Sequence, residues 1–426
     1  MESPEFVSLV GNGKFFFDDS VVESSFVLSR NPYWIGIIMK EGFSYVAAIK
    51  LISERIPVQL SGVMNDGRPI KAAALYLTNT QATGNLPGVE FTALEGVALG
   101  QPGDTHPPES RYPLTGCFDG NISLVHDGWE IKTIPCPSPN AAQALAKKWH
   151  IPVEGMVLQL RREGLPMVQH QDFARVVMTL LSLASGTGVS CDRHFFTWAK
   201  EELEIWRHGT GDEIGPGAIV PAFELVKFLE QTLSTWQSLS QDQWNALRLA
   251  IDYINLSARG YLDTRLFHIF QPWEFLIKAW GIKGVLSESE ACLRSRLLQT
   301  RKQWNQDHSN CDVTGFWGGR ISLIFDWPKL KDAIIHFAIS FGLDLKRIGL
   351  DLDLLNDTRN NVAHSGKLSE NLTDSNRQAL GLLTTGQYCL QLLILRMLAY
   401  QGQVYHATGG WSSIVEIDQA LTTGRT

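Results

Sequence analysis

Cysteine is scarce and unpatterned in this chain. The six cysteines, Cys117, Cys136, Cys191, Cys292, Cys311 and Cys389, form no C-x-x-C pair, and none stands with histidine at zinc-finger spacing. This excludes a zinc ribbon and a thioredoxin-like redox motif. The expected state is reduced thiols in a cytoplasmic protein. Long hydrophobic runs are missing too. The longest apolar stretch, "LGLLTTGQYCLQLLILRMLAY", is interrupted by two Gln and an Arg. It reads as a buried helix, not a membrane span. The first residues, "MESPEFVSLVGNGKFFFDD", have no basic region followed by an apolar run, so no signal peptide is expected. Internal repeats and low-complexity tracts are absent, and "GNGK" at 11–14 lacks Walker spacing and reads as a turn. "SGTGVS" at 185–190 is likewise too short to argue a nucleotide site. The remaining Ser, His and Asp residues show no spacing that favours a hydrolase triad, and there is no clear carboxylate cluster for a metal.

An excess of positive charge is also lacking. Residues 1–215 carry 17 Lys and Arg against 24 Asp and Glu, a net of −7, whereas residues 216–402 carry 19 against 18, a net of +1. The first half is therefore a poor nucleic-acid platform, and the second is neutral enough to hold local basic patches. At 426 residues with 44% hydrophobic and 19% charged side chains, the chain is globular and too long for one ordinary core.

What is present divides in two. Residues 1–165 hold recurring short β-branched and aromatic runs, among them "KFFF", "WIGIIM", "AAALYLT" and "NISLVHDGWEIKTI", separated by turn signals at Gly11-Asn12-Gly13, Asn65-Asp66-Gly67, Asp119-Gly120-Asn121 and Asp127-Gly128. The expected fold is a β-rich sandwich or partly closed barrel, with one short helix around "PNAAQALAKKWH". Residues 166–215 read as a transitional helix, ending at Gly186, and a linker. From Pro221 the apolar period becomes helical, with helices expected near 221–238, 241–258, 263–281, 287–306, 328–341, 345–364 and 373–401. Residues 216–402 thus read as an all-α bundle, and 403–426 as a C-terminal hairpin or tail. The fold class is α+β, multidomain.

One stretch carries chemistry. In "NDTRNNVAHSGKL" at 356–368, an Arg, two Asn and a His fall within six residues at a helix end. On a wheel of about 100° per residue, Ile348, Leu352, Leu355, Val362 and Ala363 form an apolar stripe with Arg359 near its middle. A guanidinium does not lose its charge, so it needs partners there. Asp353, Asp357, Asn360 and His364 form a polar ridge on the flank, beside Asn361. Asn360 stands four residues before His364, placed to hold the imidazole in one orientation. His exchanges protons near neutral pH, and Arg suits a phosphate that gains charge in a transition state. The plain alternative also stands. "HSGK" is an ordinary polar helix end, and an Arg in an apolar stripe can be a structural ion pair.

Residues 356–366 resemble the R-N-x-x-x-H signature of HEPN-domain ribonucleases. The likeness extends to position, late in an all-α region before a long final helix. It also takes in "DTRLFHIFQPWEFLIKAW", where Glu274 matches an acidic residue among aromatics. With a β-rich domain ahead of it, the chain resembles anti-phage HEPN proteins of the ApeA type. The resemblance implies a metal-independent endoribonuclease, needing no cofactor, that leaves 2′,3′-cyclic phosphate ends. It implies catalytic Arg359, His364 and Asn360; the polar ridge read from the helix adds Asp357 and Asn361 as supporting residues. It further implies a homodimer with two motifs facing one cleft, an RNA substrate, and a role in antiviral defence by abortive infection; with no long apolar run, no membrane partner is expected. A trigger or regulator acting at the N-terminal domain is expected because an uncontrolled ribonuclease harms its own cell. Some family members only bind nucleotides or proteins, so a non-catalytic module is the competing expectation. For RNA contact, Arg294, Arg301 and Lys302 on "CLRSRLLQTRKQW" and Arg320 in "GFWGGRISLIFDW" are candidates, against the plain reading of a solvated helix face and an anchored loop. His336, among apolar residues in "DAIIHFAISF", reads as a core histidine.

Overall fold

The structure is a computed structural model. It describes residues 7–422 apart from 18–19, 32–33, 40–49, 80–88, 94–95, 104–105, 116–120, 136–153, 192, 207–214, 282–287, 308–329, 366–375 and 409–410. The expected helix around "PNAAQALAKKWH", the turn at 119–121 and the loop with Arg320 fall largely or wholly outside the described residues. The chain divides into two units, Met1–Glu213 and Ile214–Thr426.

The first unit is built on β-strands: β1 (Val7–Phe17), β2 (Ser20–Asn31), β3 (Trp34–Met39), β4 (Val58–Met64), β5 (Pro69–Asn79), β6 (Val89–Ala93), β7 (Val97–Gly100), β8 (Glu109–Thr115), β9 (Ser123–His126), β10 (Trp129–Pro135), β11 (Glu154–Arg161), β12 (Arg193–Thr197) and β13 (Glu202–Trp206). The order β4-β1-β2-β3-β6-β5 closes on itself through a β4–β5 pairing, so six antiparallel strands form a barrel. From β5 the same sheet runs on as β7-β13-β12-β8-β11-β10-β9. Alternation explains the closure. In β1, Phe15 is buried while Asn12, Lys14 and Phe16 face out, which is the period-two pattern of a half-buried strand. The barrel is filled by Phe15, Phe26, Leu28, Ile37, Leu60, Leu75 and Phe91, with Phe15 edge-on to Phe26 at 6.0 Å and stacked on Phe91 at 5.8 Å.

Two sequence readings change here. Gly11-Asn12-Gly13 is not a turn; it lies inside β1. A Cβ at Gly13 would sit 2.8 Å from Leu60 Cδ1, and one at Gly62 would sit 2.8 Å from the Gly13 Cα. Strands β1 and β4 pair there too closely for side chains, with Gly13 opposite Gly62, and the glycines permit that approach. The second change concerns residues 166–215, whose described part up to 206 is not a linker. Helix α1 (Met167–Ser185) ends at left-handed Gly186, as expected, and residues 193–206 are the β12–β13 hairpin inside the large sheet. Asp127-Gly128 does form its turn, with φ of 46° and 75°, the two-residue geometry that joins β9 to β10.

The second unit is helical. It contains α2 (Leu225–Trp236), α3 (Gln241–Leu256), α4 (Leu262–Trp280), α5 (Glu288–Asp307), α6 (Leu330–Ser340), α7 (Leu345–Ile348), α8 (Leu352–Ser365) and α9 (Asn376–Met397). A hairpin of β14 (Gln403–Thr408) and β15 (Trp411–Glu416) follows, then α10 (Ile417–Thr422). Helix α4 packs against α3, α6, α8 and α9. It buries Leu266, Ile269, Phe270, Trp273 and Leu276. Helix α9 approaches it at Gly386, where a Cβ would fall 2.6 Å from Ile269 Cγ2. The hairpin docks by polar contacts: Tyr405 N donates to the Ile219 carbonyl, Gln403 N donates to Glu224, and the Gln403 carbonyl accepts from Tyr400 Oη. Cys292 is exposed on α5, Cys191 half-buried and Cys389 buried. No helix among the described residues is long and apolar enough to cross a membrane.

The expected single helix over 345–364 is broken. Gly349 takes φ +88° and ends α7, and Asp351 starts α8 by accepting the Leu354 amide at 3.0 Å. Ile348 therefore belongs to a different helix from Leu352 and Leu355. His336 is not a core residue; it is exposed on α6.

Candidate functional site

The residues that converge lie on α4 and α8. On α4, Phe270 and Glu274 are four apart, so they share a face. Both meet Arg359 of α8: Glu274 Oε1 accepts from Arg359 Nη2 at 2.8 Å, and the Phe270 ring lies 5.4 Å below the guanidinium carbon. Arg359 Nη1 donates to Asn360 Oδ1 at 3.0 Å. The Arg359 Nε is buried and bonds to none of the described residues. The Arg359 and Glu274 side chains are 30% and 32% exposed, so the pair sits at the edge of the helix interface.

This places Arg359 differently from the wheel. The buried face of α8 is Leu352, Leu355 and Thr358, and Thr358 satisfies its hydroxyl by donating to the Leu354 carbonyl at 2.7 Å. Arg359 is next to that face, not in its middle. Its charge is met by a carboxylate and a ring face, which together replace part of the water it gives up.

The expected polar ridge separates into parts. Asp353 pairs with Lys331 of α6 at 2.5 Å, which draws it away from the Arg. Asp357 and Asn361 are exposed, and Asn360 is half-buried with its Oδ1 turned to Arg359. His364 lies in α8 one turn after Asn360; its side chain is outside the described atoms. On α5, Lys302 and Arg296 are exposed and Arg301 is half-buried, while the side chain of Arg294 is outside the described atoms and Arg320 is in 308–329. No group of three His, Cys, Asp or Glu among the described residues is arranged to hold a metal ion.

Sequence reasoning misses Phe270 as the platform under the guanidinium. The signal is available, because Phe270 precedes Glu274 by one helical turn. It also misses a polar pair in the first unit. Ser110 Oγ lies 2.9 Å from His170 Nδ1, with both residues fully buried. Burial lowers the His170 pKa to about 4, against the pull of the nearby Arg162 and Pro107 backbone groups. His170 also meets the edge of Trp129 at 4.8 Å, and Trp129 stacks on Phe173 at 4.4 Å. This cluster fastens α1 to the sheet. No sequence spacing announces it, since its members come from β8, β10 and α1.

No protein-family model, no curated protein and no solved structure matches the chain.

Proposed function

We propose that the helical unit is a metal-independent endoribonuclease of HEPN type. The observation that carries this reading is the Arg359–Glu274 contact: a guanidinium one-third exposed, braced by Phe270 and Asn360, at the helix whose next turn carries His364. Arg359 binds the scissile phosphate and stabilises the charge that builds on it. His364 transfers protons while the 2′-hydroxyl attacks phosphorus and the 5′-oxygen leaves. The product is a 2′,3′-cyclic phosphate. Two copies of the helical unit bring two motifs to one cleft. The N-terminal unit restrains or triggers the nuclease, and the setting is antiviral defence by abortive infection. The shared cleft and the antiviral setting rest on the resemblance of residues 356–366 to the family signature; the role of the N-terminal unit rests on the harm an uncontrolled ribonuclease does to its own cell.

A second reading has an observation in its favour. Arg359 already has a carboxylate partner, as a purely structural ion pair would. In that reading the unit is a non-catalytic nucleotide- or protein-binding module. Incubation of the full chain with RNA in EDTA separates the two. The expected result is cleavage to cyclic phosphate ends by the wild type and loss of cleavage by His364→Ala at unchanged melting temperature. Equal inertness of wild type and variant would overturn the nuclease reading. Equal cleavage by both would assign the activity elsewhere.

A further inference from the structure

The C-terminal ends of two helices frame a hollow in the helical unit. It holds about 310 Å³, the small end of the range for ligand sites. Ser340, Phe341 and Gly342 line it from the end of α6, and Arg396, Ala399 and Gln401 from the end of α9. None of these residues belongs to the α4–α8 contact. The two helix ends turn off in the same hand with different residues. Gly342 takes φ +79° and Ala399 takes φ +56°. Glycine adopts that left-handed conformation freely, whereas alanine adopts it at a cost. The chain thus keeps a methyl on the wall of the hollow where a glycine would relieve the strain. Arg396 pairs with Asp418 of α10 at 3.0 Å, and the Asp418 side chain is 78% exposed. So open a pair contributes little to stability. Exchanging Asp418 for an anion of higher charge therefore costs little.

We infer that this hollow binds a free nucleoside monophosphate. Each part of such a ligand has a counterpart. Phe341 is half-buried and braced edge-to-face by Phe337 at 5.3 Å, so the ring that lines the hollow is fixed in place for a base to stack on. Gln401 is anchored through its backbone amide, which donates to Gln231 at 2.9 Å, while its side chain is exposed. A side-chain amide offers a donor and an acceptor together, the pair that an adenine edge matches. The Arg396 guanidinium meets the phosphate in place of Asp418. Helix ends finish in carbonyls, which accept from ribose hydroxyls. One ring and one cation suffice for a single nucleotide and not for a strand. The inference does not require the unit to cleave RNA.

The test is isothermal titration calorimetry of the full chain with AMP, set against adenosine and inorganic phosphate. AMP is expected to bind, and each fragment to bind at least about tenfold more weakly. Arg396→Ala is expected to weaken AMP by about tenfold or more. Ser340→Trp fills the hollow from an exposed position and is expected to abolish binding. Asp418→Asn removes the competing carboxylate and is expected to tighten AMP a few-fold, a gain that misfolding does not produce. Absence of AMP binding up to about 1 mM, phosphate bound as tightly as AMP, or an Asp418→Asn variant no tighter than the wild type would overturn the assignment. So would binding lost in Arg359→Ala and kept in Arg396→Ala, which would put the nucleotide at the α4–α8 site. Failure of the endoribonuclease reading looks different: the wild type leaves RNA intact yet binds AMP in the expected pattern.

Discussion

In the N-terminal unit, Ser110 and His170 meet at 2.9 Å with neither exposed; in the C-terminal unit, Arg359 and Glu274 meet at 2.8 Å with about a third of each side chain open to solvent. On paper the first pair is the better enzyme, a hydroxyl beside an imidazole. Access reverses that order. A substrate cannot reach Ser110 without unfolding the packing of α1 on the sheet. The second pair sits where a ligand can exchange with one of its partners. The energies point the same way. A satisfied buried hydrogen bond contributes about 1 kcal/mol and is costly to orphan, whereas a partly exposed ion pair contributes little. The buried pair is thus explained by stability, and the exposed one contributes little to it.

The largest effect expected of any single change is at Arg359. Arg359→Ala should lower RNA cleavage by at least about 1000-fold, because the phosphate loses its charged fork. Arg359→Lys keeps the charge but not the planar fork, and should recover only part of the rate. Both should melt within a few degrees of the wild type, since Glu274 is left one-third exposed and can take water. A fall in melting temperature of more than about 10 °C with cleavage preserved would make Arg359 a structural residue and erase the contrast with His170.

His170 gives the next effect, on stability instead of rate. Its imidazole stays neutral in the folded unit down to about pH 4, whereas an ordinary histidine titrates near 6.5. The unfolded chain therefore binds the proton first. Stability is full above about pH 6.5, falls as the pH drops from there towards 4, and falls no further below that on this account. The gap is worth about 3 kcal/mol. Urea titrations of the full chain at pH 7 and pH 4.5 should show it as a lower midpoint, and His170→Phe should flatten the difference. A wild-type midpoint that does not move with pH would show that His170 is not held neutral by burial.

Ser110→Ala sharpens the same contrast at smaller size. It removes the hydroxyl that His170 Nδ1 meets and leaves that nitrogen buried without its partner. The expected cost is about 1–2 kcal/mol in the stability of the first unit, read by denaturant midpoint, with RNA cleavage unchanged. A comparable loss of cleavage would mean the buried pair has a role beyond packing.

Legibility follows the range of the interactions. Short β-branched and aromatic runs such as "KFFF" between turn signals, and helical spacing after Pro221, reflect local neighbours, so the division into a β-rich and a helical part is readable. The failures are places where a distant strand or helix decides. Gly11-Asn12-Gly13 resembles a turn until β4 is brought alongside, and only then does the need for glycine appear. The β12–β13 hairpin reads as linker because its partners, β7 and β8, are far away in sequence. At the site, Arg359 and Glu274 each stand out in the sequence, but their distance does not, because 85 residues separate them. The break at Gly349 is the avoidable miss: a Gly followed by Leu-Asp is a local stop-and-start signal.

The smallest expected effect lies on α5. Arg296 and Lys302 are exposed there and Arg301 is half-buried, so none of them resembles either polar pair. If they guide an RNA backbone, they do so by holding phosphates at an open surface. The double variant Arg301→Ala/Lys302→Ala should then weaken binding of mixed-sequence RNA a few-fold at low salt. The dependence of log affinity on log salt should become shallower by about two, one for each cation removed from the phosphate backbone. The cleavage rate at saturating RNA should not change, because the proton-transfer groups are untouched. A changed rate at saturation would place α5 within the reacting site. An unchanged salt slope would make it a solvated helix face, leaving Arg359 to hold the phosphate without help from this helix.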